Sequence, residues 1–215
     1  MAIIAIMGRK GGIGKSTITA NLAAEFVALG RSVAVLDTDP QKSLMAWAEL
    51  GEGLLRELVE AVGTTHPRQF AVRVEEASKR AERVLIDTPP GFADPALLAA
   101  LQADLVLLPA GPSPLDIMAA RDALALAREA RKERGGRKPI IRFVPSKVVA
   151  RTTLGRELAG SLEALGEKSL PEIGQRMVAA EAALSGLTVR EFTKGSAAQT
   201  EFEALALAVE EVLRK

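Results

Sequence analysis

The chain has 215 residues, 48% hydrophobic and 26% charged, which suits one folded domain spanning 1–215 and excludes a disordered or low-complexity protein. Its 28 lysines and arginines against 27 acids give a net charge of +1, which taken whole excludes the strongly basic profile of a dedicated nucleic-acid binder. With no cysteine and one histidine, His66, there are no disulfides, thiolate zinc sites, iron–sulfur ligands, cysteine nucleophile or histidine metal cluster, and the composition fits a reducing cytoplasm.

Apolar runs rich in Ile and Val alternate with Ala/Leu-rich stretches, the pattern of parallel strands covered by helices on both faces. In chain order the pattern predicts strands at Ala2–Met7, Ser32–Asp37, Arg83–Asp87, Asp104–Pro109 and Pro139–Pro145, with weaker ones at Glu57–Val62 and Lys168–Ile173. Between them it predicts helices at Lys15–Leu29, Gln41–Leu50, Pro67–Glu82, Pro95–Gln102, Leu115–Arg134, Thr152–Leu165, Gln175–Ser185 and Ala197–Arg214. The expected fold is α/β, a doubly wound and mostly parallel sheet flanked by helices. Met1 to Met7 is too short for a signal-peptide core, and no apolar run reaches the ~18 residues of a membrane span. Aromatic residues are 3% of the chain, too few for base-stacking recognition of single strands.

The first strand runs into Gly8-Arg9-Lys10-Gly11-Gly12-Ile13-Gly14-Lys15-Ser16-Thr17 and then a helix. Gly8, Gly14, Lys15 and Ser16 satisfy the phosphate-loop pattern in the strand–loop–helix context it requires. Glycines let backbone N–H groups turn inward around phosphates, Lys15 reaches the β/γ oxygens, and the Ser16 hydroxyl binds Mg²⁺. Two acids stand where such a site needs them. Asp87 ends a strand and is followed by Thr88-Pro89-Pro90-Gly91, the usual place for the acid behind Mg²⁺, although a strand-end Asp also caps turns. Asp37 and Asp39 end another strand two residues apart, so one carboxylate could polarise the attacking water while the other supports the metal; the plainer reading makes Asp39 a helix cap.

Lys10-Gly11-Gly12-Ile13-Gly14-Lys15-Ser16 resembles the deviant Walker A motif of the ParA/MinD family, marked by a second lysine near the start of the loop. Val35–Gln41 resembles that family's first switch and Asp87–Gly91 its Walker B and second switch. Pro109–Asp116, Ile173–Arg176 and Gly186–Phe192 are similar to the small ParF-like partition ATPases and their McdA-like relatives that position carboxysomes, so the resemblance covers nearly the whole chain. It implies ATP or ADP with Mg²⁺ as ligands. Lys10, Lys15 and Asp39 would be catalytic, with Lys10 crossing an ATP-sandwich homodimer to the partner's phosphates and Asp39 activating water. Lys10, Gly11, Gly12, Ile13, Gly14, Lys15, Ser16 and Thr17 would bind ATP, Ser16, Asp37, Asp39 and Asp87 would surround Mg²⁺, and the loop Pro145-Ser146-Lys147 would supply base contacts. That loop lacks the family's usual Asn or Arg arrangement.

The net charge is unevenly distributed. From Arg128 to Arg156 ten basic residues face two acidic ones, +8, which leaves −7 for the rest. Such a segment is a candidate footprint for nonspecific double-stranded DNA, as the resemblance implies for ATP dimers, although helix ends and solubility also recruit Lys and Arg. Arg137, Lys138, Arg151, Arg156, Arg176 and Lys194 are the DNA candidates. The resemblance further implies a ParB-like or McdB-like adaptor that stimulates slow hydrolysis and a cytoplasmic, nucleoid-associated location. A loop beginning by residue 8 leaves no room for the helix-turn-helix of larger ParA proteins, and Glu201, Glu203, Glu210 and Glu211 before Arg214-Lys215 disfavour a MinD-like membrane helix. Alternatives on the same fold are a dethiobiotin-synthetase-like ligase, which lacks the second lysine, and a membrane-associated MinD-like ATPase. A cobyrinate-type amidase and a nitrogenase-type iron protein need cysteines, and the related tyrosine kinases need tyrosines; the chain has neither.

Overall fold

Strands that are apolar on both sides can lie only in the middle of a helix sandwich. A computed structural model describes residues 1–63, 66–91 and 93–214; Lys215, counted above with the last helix, lies outside them. The strands are β1 (Ala2–Ile6), β2 (Val33–Asp37), β3 (Val59–Ala61), β4 (Arg83–Asp87), β5 (Leu105–Ala110), β6 (Ile140–Val148) and β7 (Ile173–Gly174). They form one sheet in the order β3-β2-β4-β1-β5-β6-β7, with every adjacent pair parallel. The helices in chain order are α1 (Lys15–Ala28), α2 (Ser43–Glu49), α3 (Leu55–Leu58), α4 (Pro67–Arg80), α5 (Ala93–Gln102), α6 (Pro114–Glu133), α7 (Thr153–Glu163), α8 (Met177–Leu184), α9 (Val189–Phe192) and α10 (Ala197–Leu213).

The period-two geometry of the strands sorts the core into two layers. Ile4, Ile6, Val35, Leu85, Leu107 and Val144 face α1, α2 and α8–α10, whereas Ala5, Leu36, Val84, Ile86, Val106 and Phe143 face α4–α7. Phe26 and Phe202 are fully buried in the first layer, Phe70 and Phe143 in the second. Each such ring stabilises by roughly 1.5–3 kcal/mol. The apolar face of α10, with Phe202, Leu205, Ala206 and Val209, is part of that first layer. Among the described residues no helix is long and apolar enough to cross a membrane.

Local departures from the sequence reading have physical causes. The expected loop Pro145-Ser146-Lys147 lies inside β6, which runs on to Val148. Pro145 pairs in register with Ala110 of β5, and Ser146 begins the pairing with β7. A proline argues against a central strand, but here the register to β7 shifts between Ser146 and Val148 and Lys147 takes φ 55°, the kind of irregularity where a ladder tolerates one. The weak strand at Lys168–Ile173 shrinks to two residues plus a bridge between Phe143 and Ser169. α2 starts at Ser43 rather than Gln41 because Asp39 holds a turn before it, with Lys42 N–H on the Asp39 carbonyl at 2.8 Å and Gln41 N–H on its carboxylate at 2.9 Å. α3 and α9 are four residues each, too short to show a helical period.

Candidate nucleotide site

Because all strands are parallel, their carboxyl ends share one edge, and the loops after β1, β2 and β4 meet there. The loop after β1 turns into α1 at Gly14, with φ 95°, a left-handed conformation that disfavours a side chain. A Cβ at Gly14 would also stand 2.9 Å from Ser146 Oγ, so β6 packs directly against the loop. A Cβ at Gly8 would collide with the Ile13 side chain, which is buried beneath the loop. Gly12, by contrast, has no neighbour within 4 Å of a built Cβ, and Gly11 meets only Pro90 at 3.9 Å. The glycines therefore form an open cradle whose floor is fixed.

A 310 Å³ cleft opens over the cradle, lined by Gly11, Gly12, Gly14, Lys15, Ser16 and Thr17 with Asp39, Thr88 and Lys147 at its walls. Lys15 is buried, and the hydrogen bond its Nζ makes is a 3.4 Å contact to the Lys10 carbonyl. Burial pushes its ammonium down from the ordinary value, against the charges of Asp87 and Asp39. A buried cation without a hydrogen-bonded carboxylate is held at a cost that an anion in the cleft would offset.

Asp87 stands behind that lysine. Its Oδ2 accepts the Ser16 hydroxyl at 2.6 Å and its Oδ1 the Thr19 hydroxyl at 3.1 Å, while its backbone carbonyl accepts Thr38 Oγ1 at 2.7 Å. Burial, above all, pushes its carboxyl up to about 7; the Asp37 charge adds to this, against the Ser16 and Thr19 hydrogen bonds and the Lys15 charge. Thr19 escaped the sequence reading, yet it lies one helical turn beyond Lys15, the spacing that puts two side chains on one face.

Of the four residues expected around Mg²⁺, Ser16 and Asp87 are hydrogen-bonded to one another. Asp37 faces Asp87 at the same register, but its carboxylate is turned into the backbone, accepting Asp39 N–H at 3.0 Å, Leu44 N–H at 3.1 Å and Met45 N–H at 2.9 Å. Burial raises its pKa against these bonds from Met45, Asp39 and Leu44. No group of three or more His, Cys, Asp or Glu among the described residues is arranged to hold a metal. Asp37 thus anchors the turn that carries Asp39 and the start of α2. Asp39 lines the cleft.

Lys10 is half-exposed on the rim, outside the lining of that cleft. Its Nζ donates to Asp116 Oδ1 at 2.6 Å, and Ser113 Oγ donates to Asp116 Oδ2 at 2.6 Å while capping α6. Burial pushes the Asp116 carboxyl up, but hydrogen bonds from Lys10 and Ser113 and the charges of Lys10 and Lys147 outweigh it and leave it below the usual range. Ser113-Pro114-Leu115-Asp116 reads as a helix start with an acid at its third helical position, but nothing in that pattern points to Lys10.

The basic segment is divided by the fold. Arg137 and Lys138 precede β6 and Arg151 and Arg156 follow it, about 26 Å apart along a nine-residue strand. Lys138 pairs with Asp104 at 2.6 Å, Arg131 and Arg128 with Glu167 at 2.9 and 3.5 Å, and Arg134 with the Ala103 carbonyl. Arg176 is tied to Glu201 at 2.6 Å and lines a cleft with Lys147. Among the described residues no carboxylate pairs with Arg137, Lys147, Arg151, Arg156 or Lys194, and Arg156 touches only the Thr153 hydroxyl, at 3.5 Å.

A parallel sheet with a glycine cradle, a buried lysine and a hydroxyl–carboxylate pair at its carboxyl edge defines a phosphate-loop nucleotide-binding protein. Residues 4–189 match the family described as the CobQ/CobB/MinD/ParA nucleotide binding domain, and the chain belongs to that family. It is 29% identical over 189 residues to maintenance of carboxysome distribution protein A of Halothiobacillus neapolitanus, covering 86% of this chain and 85% of that one. It is 28% identical to the chromosome-partitioning ATPase Soj of Thermus thermophilus over 99% of this chain and 95% of Soj. Among solved structures, the septum site-determining protein MinD of Pyrococcus horikoshii in complex with Mg-ADP superposes with a TM-score of 0.78, at 20% identity, over 99% of this chain and 97% of that one.

Proposed function

We propose that this chain is an ATP-hydrolysing positioning protein that dimerises on ATP, binds DNA without sequence preference and moves a cargo under the control of an adaptor. The observation that carries this reading is the position of Lys10: a signature lysine whose ammonium lies outside the cleft of its own loop, held on the rim by Asp116. A cation so placed adds little to its own phosphates and becomes useful when a second nucleotide-filled loop faces it, which links ATP to the dimer and hydrolysis to its release.

Within the site, the cradle N–H groups and Lys15 bind and orient the phosphates. Ser16 and Asp87 would hold Mg²⁺, whose chemistry is to neutralise charge on the β/γ oxygens. Asp39, which lines the cleft, orients the attacking water. Asp37, by fixing the Asp39 turn, positions that acid rather than a metal. Carboxysome-type and partition-type cargo both agree with the relatives' names, and the adaptor would be correspondingly McdB-like or ParB-like. For DNA we favour Arg151 and Arg156, which follow the carboxyl end of β6 and pair with no carboxylate among the described residues. The membrane alternative loses support because the apolar face of α10 is packed in the core. No feature of the site favours the ligase alternative over this reading.

Light scattering with Mg-ATP tests the central step. The wild type should pass from monomer to dimer, Lys10→Ala should stay monomeric, and Asp116→Asn, which frees Lys10, should dimerise at lower ATP. An undiminished Lys10→Ala dimer would overturn the trans role.

A further inference from the structure

A second cleft of 290 Å³ adjoins the phosphate-loop cleft and shares Gly14, Thr17 and Lys147 with it, on the side where the base of a loop-bound nucleotide would extend. Its floor is apolar, built from Ile18, Ala183, Ala198 and Phe202, and one rim is the segment Gly174–Met177. Little backbone holds that rim. β7 is two residues long at the edge of the sheet, its register to β6 is shifted, and Gln175 N–H on the Val148 carbonyl at 2.9 Å continues it.

A side chain from another helix does the rest. Glu201, near the start of α10, accepts Gly174 N–H at 3.0 Å through Oε2, and Arg176 Nε and Nη2 at 3.1 and 2.6 Å through Oε1. Arg176 is the N-cap residue of α8, yet its side chain makes no cap bond and reaches Glu201 instead. Gly174 permits this approach, since a Cβ there would stand 3.2 Å from both Arg176 Nε and Glu201 Oε1. Arg176 also lines the cleft, where a guanidinium can stack on a purine face.

We infer that Glu201 is a positioning residue for the nucleotide base: through Gly174 and Arg176 it holds the Gly174–Met177 rim over the apolar cleft. Affinity for the base therefore depends on a carboxylate remote from the phosphate loop. This inference rests on the nucleotide-binding reading and adds the means by which this chain grips the base.

Calorimetric titration of the full chain with Mg-ATP and, separately, with inorganic tripolyphosphate separates the two. Glu201→Ala should weaken ATP about tenfold, the scale of one charge-assisted hydrogen-bond network, and leave tripolyphosphate within about twofold. Glu201→Gln, which keeps an acceptor for Gly174 N–H, should fall between. Arg176→Ala, at a residue whose side chain is 43% exposed, should show the same split at an unchanged unfolding temperature, and it carries the comparison if Glu201→Ala fails to fold. Equal loss for both ligands, or no loss for ATP, would overturn the inference. A wild type that binds neither ligand would instead overturn the nucleotide reading itself.

Discussion

The phosphate loop and the basic segment are both unbroken stretches of sequence, but folding keeps one intact and takes the other apart. Gly8 to Thr17 is one short loop between β1 and the first turn of α1, so Gly11, Gly12, Gly14, Lys15 and Ser16 line one cleft. Arg128 to Arg156 instead includes the last turns of α6, all of β6 and the first turn of α7, so its charges reach opposite ends of β6 and meet Asp104 and Glu167 from elsewhere. A local motif therefore survives folding, whereas a charge sum is rewritten by it.

The largest expected effect probes the loop. Lys15→Ala should lower ATP affinity by at least about a hundredfold, because it removes the buried cation that faces the phosphates. Binding of a fluorescent ATP analogue measures this, and near-normal affinity would contradict the cradle assignment. Next in size is the contrast between the two ends of the basic segment. Arg151→Glu with Arg156→Glu should weaken ATP-dependent retention on duplex DNA about tenfold and reduce its salt slope, whereas Arg137→Glu with Lys138→Glu should do much less. Filter binding across a salt series distinguishes them, and equal loss at both ends would restore a single continuous patch.

The smallest effect concerns Asp87. Its carboxyl is raised to about 7 in the folded chain, so the folded state holds a proton that the unfolded state has released. Stability from that proton is full at pH below about 4 and is lost as pH rises through about 7. Without nucleotide or Mg²⁺, the wild-type unfolding temperature should therefore fall between pH 5 and pH 8 by several degrees more than that of Asp87→Asn. Scanning calorimetry checks this, and parallel curves for the two proteins would remove Asp87 as the cause.

Much of this architecture was legible residue by residue. β1, β2, β4 and β5 announced themselves as runs of Ile, Val and Leu because both faces are buried; Asp87 ends β4, and Lys15 and Ser16 begin α1 after the glycine-rich loop. The Pro145–Lys147 loop did not hold, because pairing with Ala110 and with β7 carried β6 through a proline that intrinsic preference would make a stop. Spacing alone shows that Asp37 and Asp39 are near one another; it does not show that three backbone N–H groups reach the Asp37 carboxylate. Asp116 and Glu201 were invisible as partners, since Lys10 and Asp116 are 106 positions apart and Gly174 and Glu201 are 27.

By itself the sequence determined the sheet's apolar strands, the glycine cradle with its lysine and serine, and the family to which they belong, because each depends on contacts within a few residues. Tertiary structure alone decided which charges are paired, which acid faces the cleft, and what holds the Gly174–Met177 rim of the second cleft. Those outcomes depend on side chains brought together from distant segments, and the physics that selects them, desolvation and hydrogen-bond geometry, acts only after the sheet has formed.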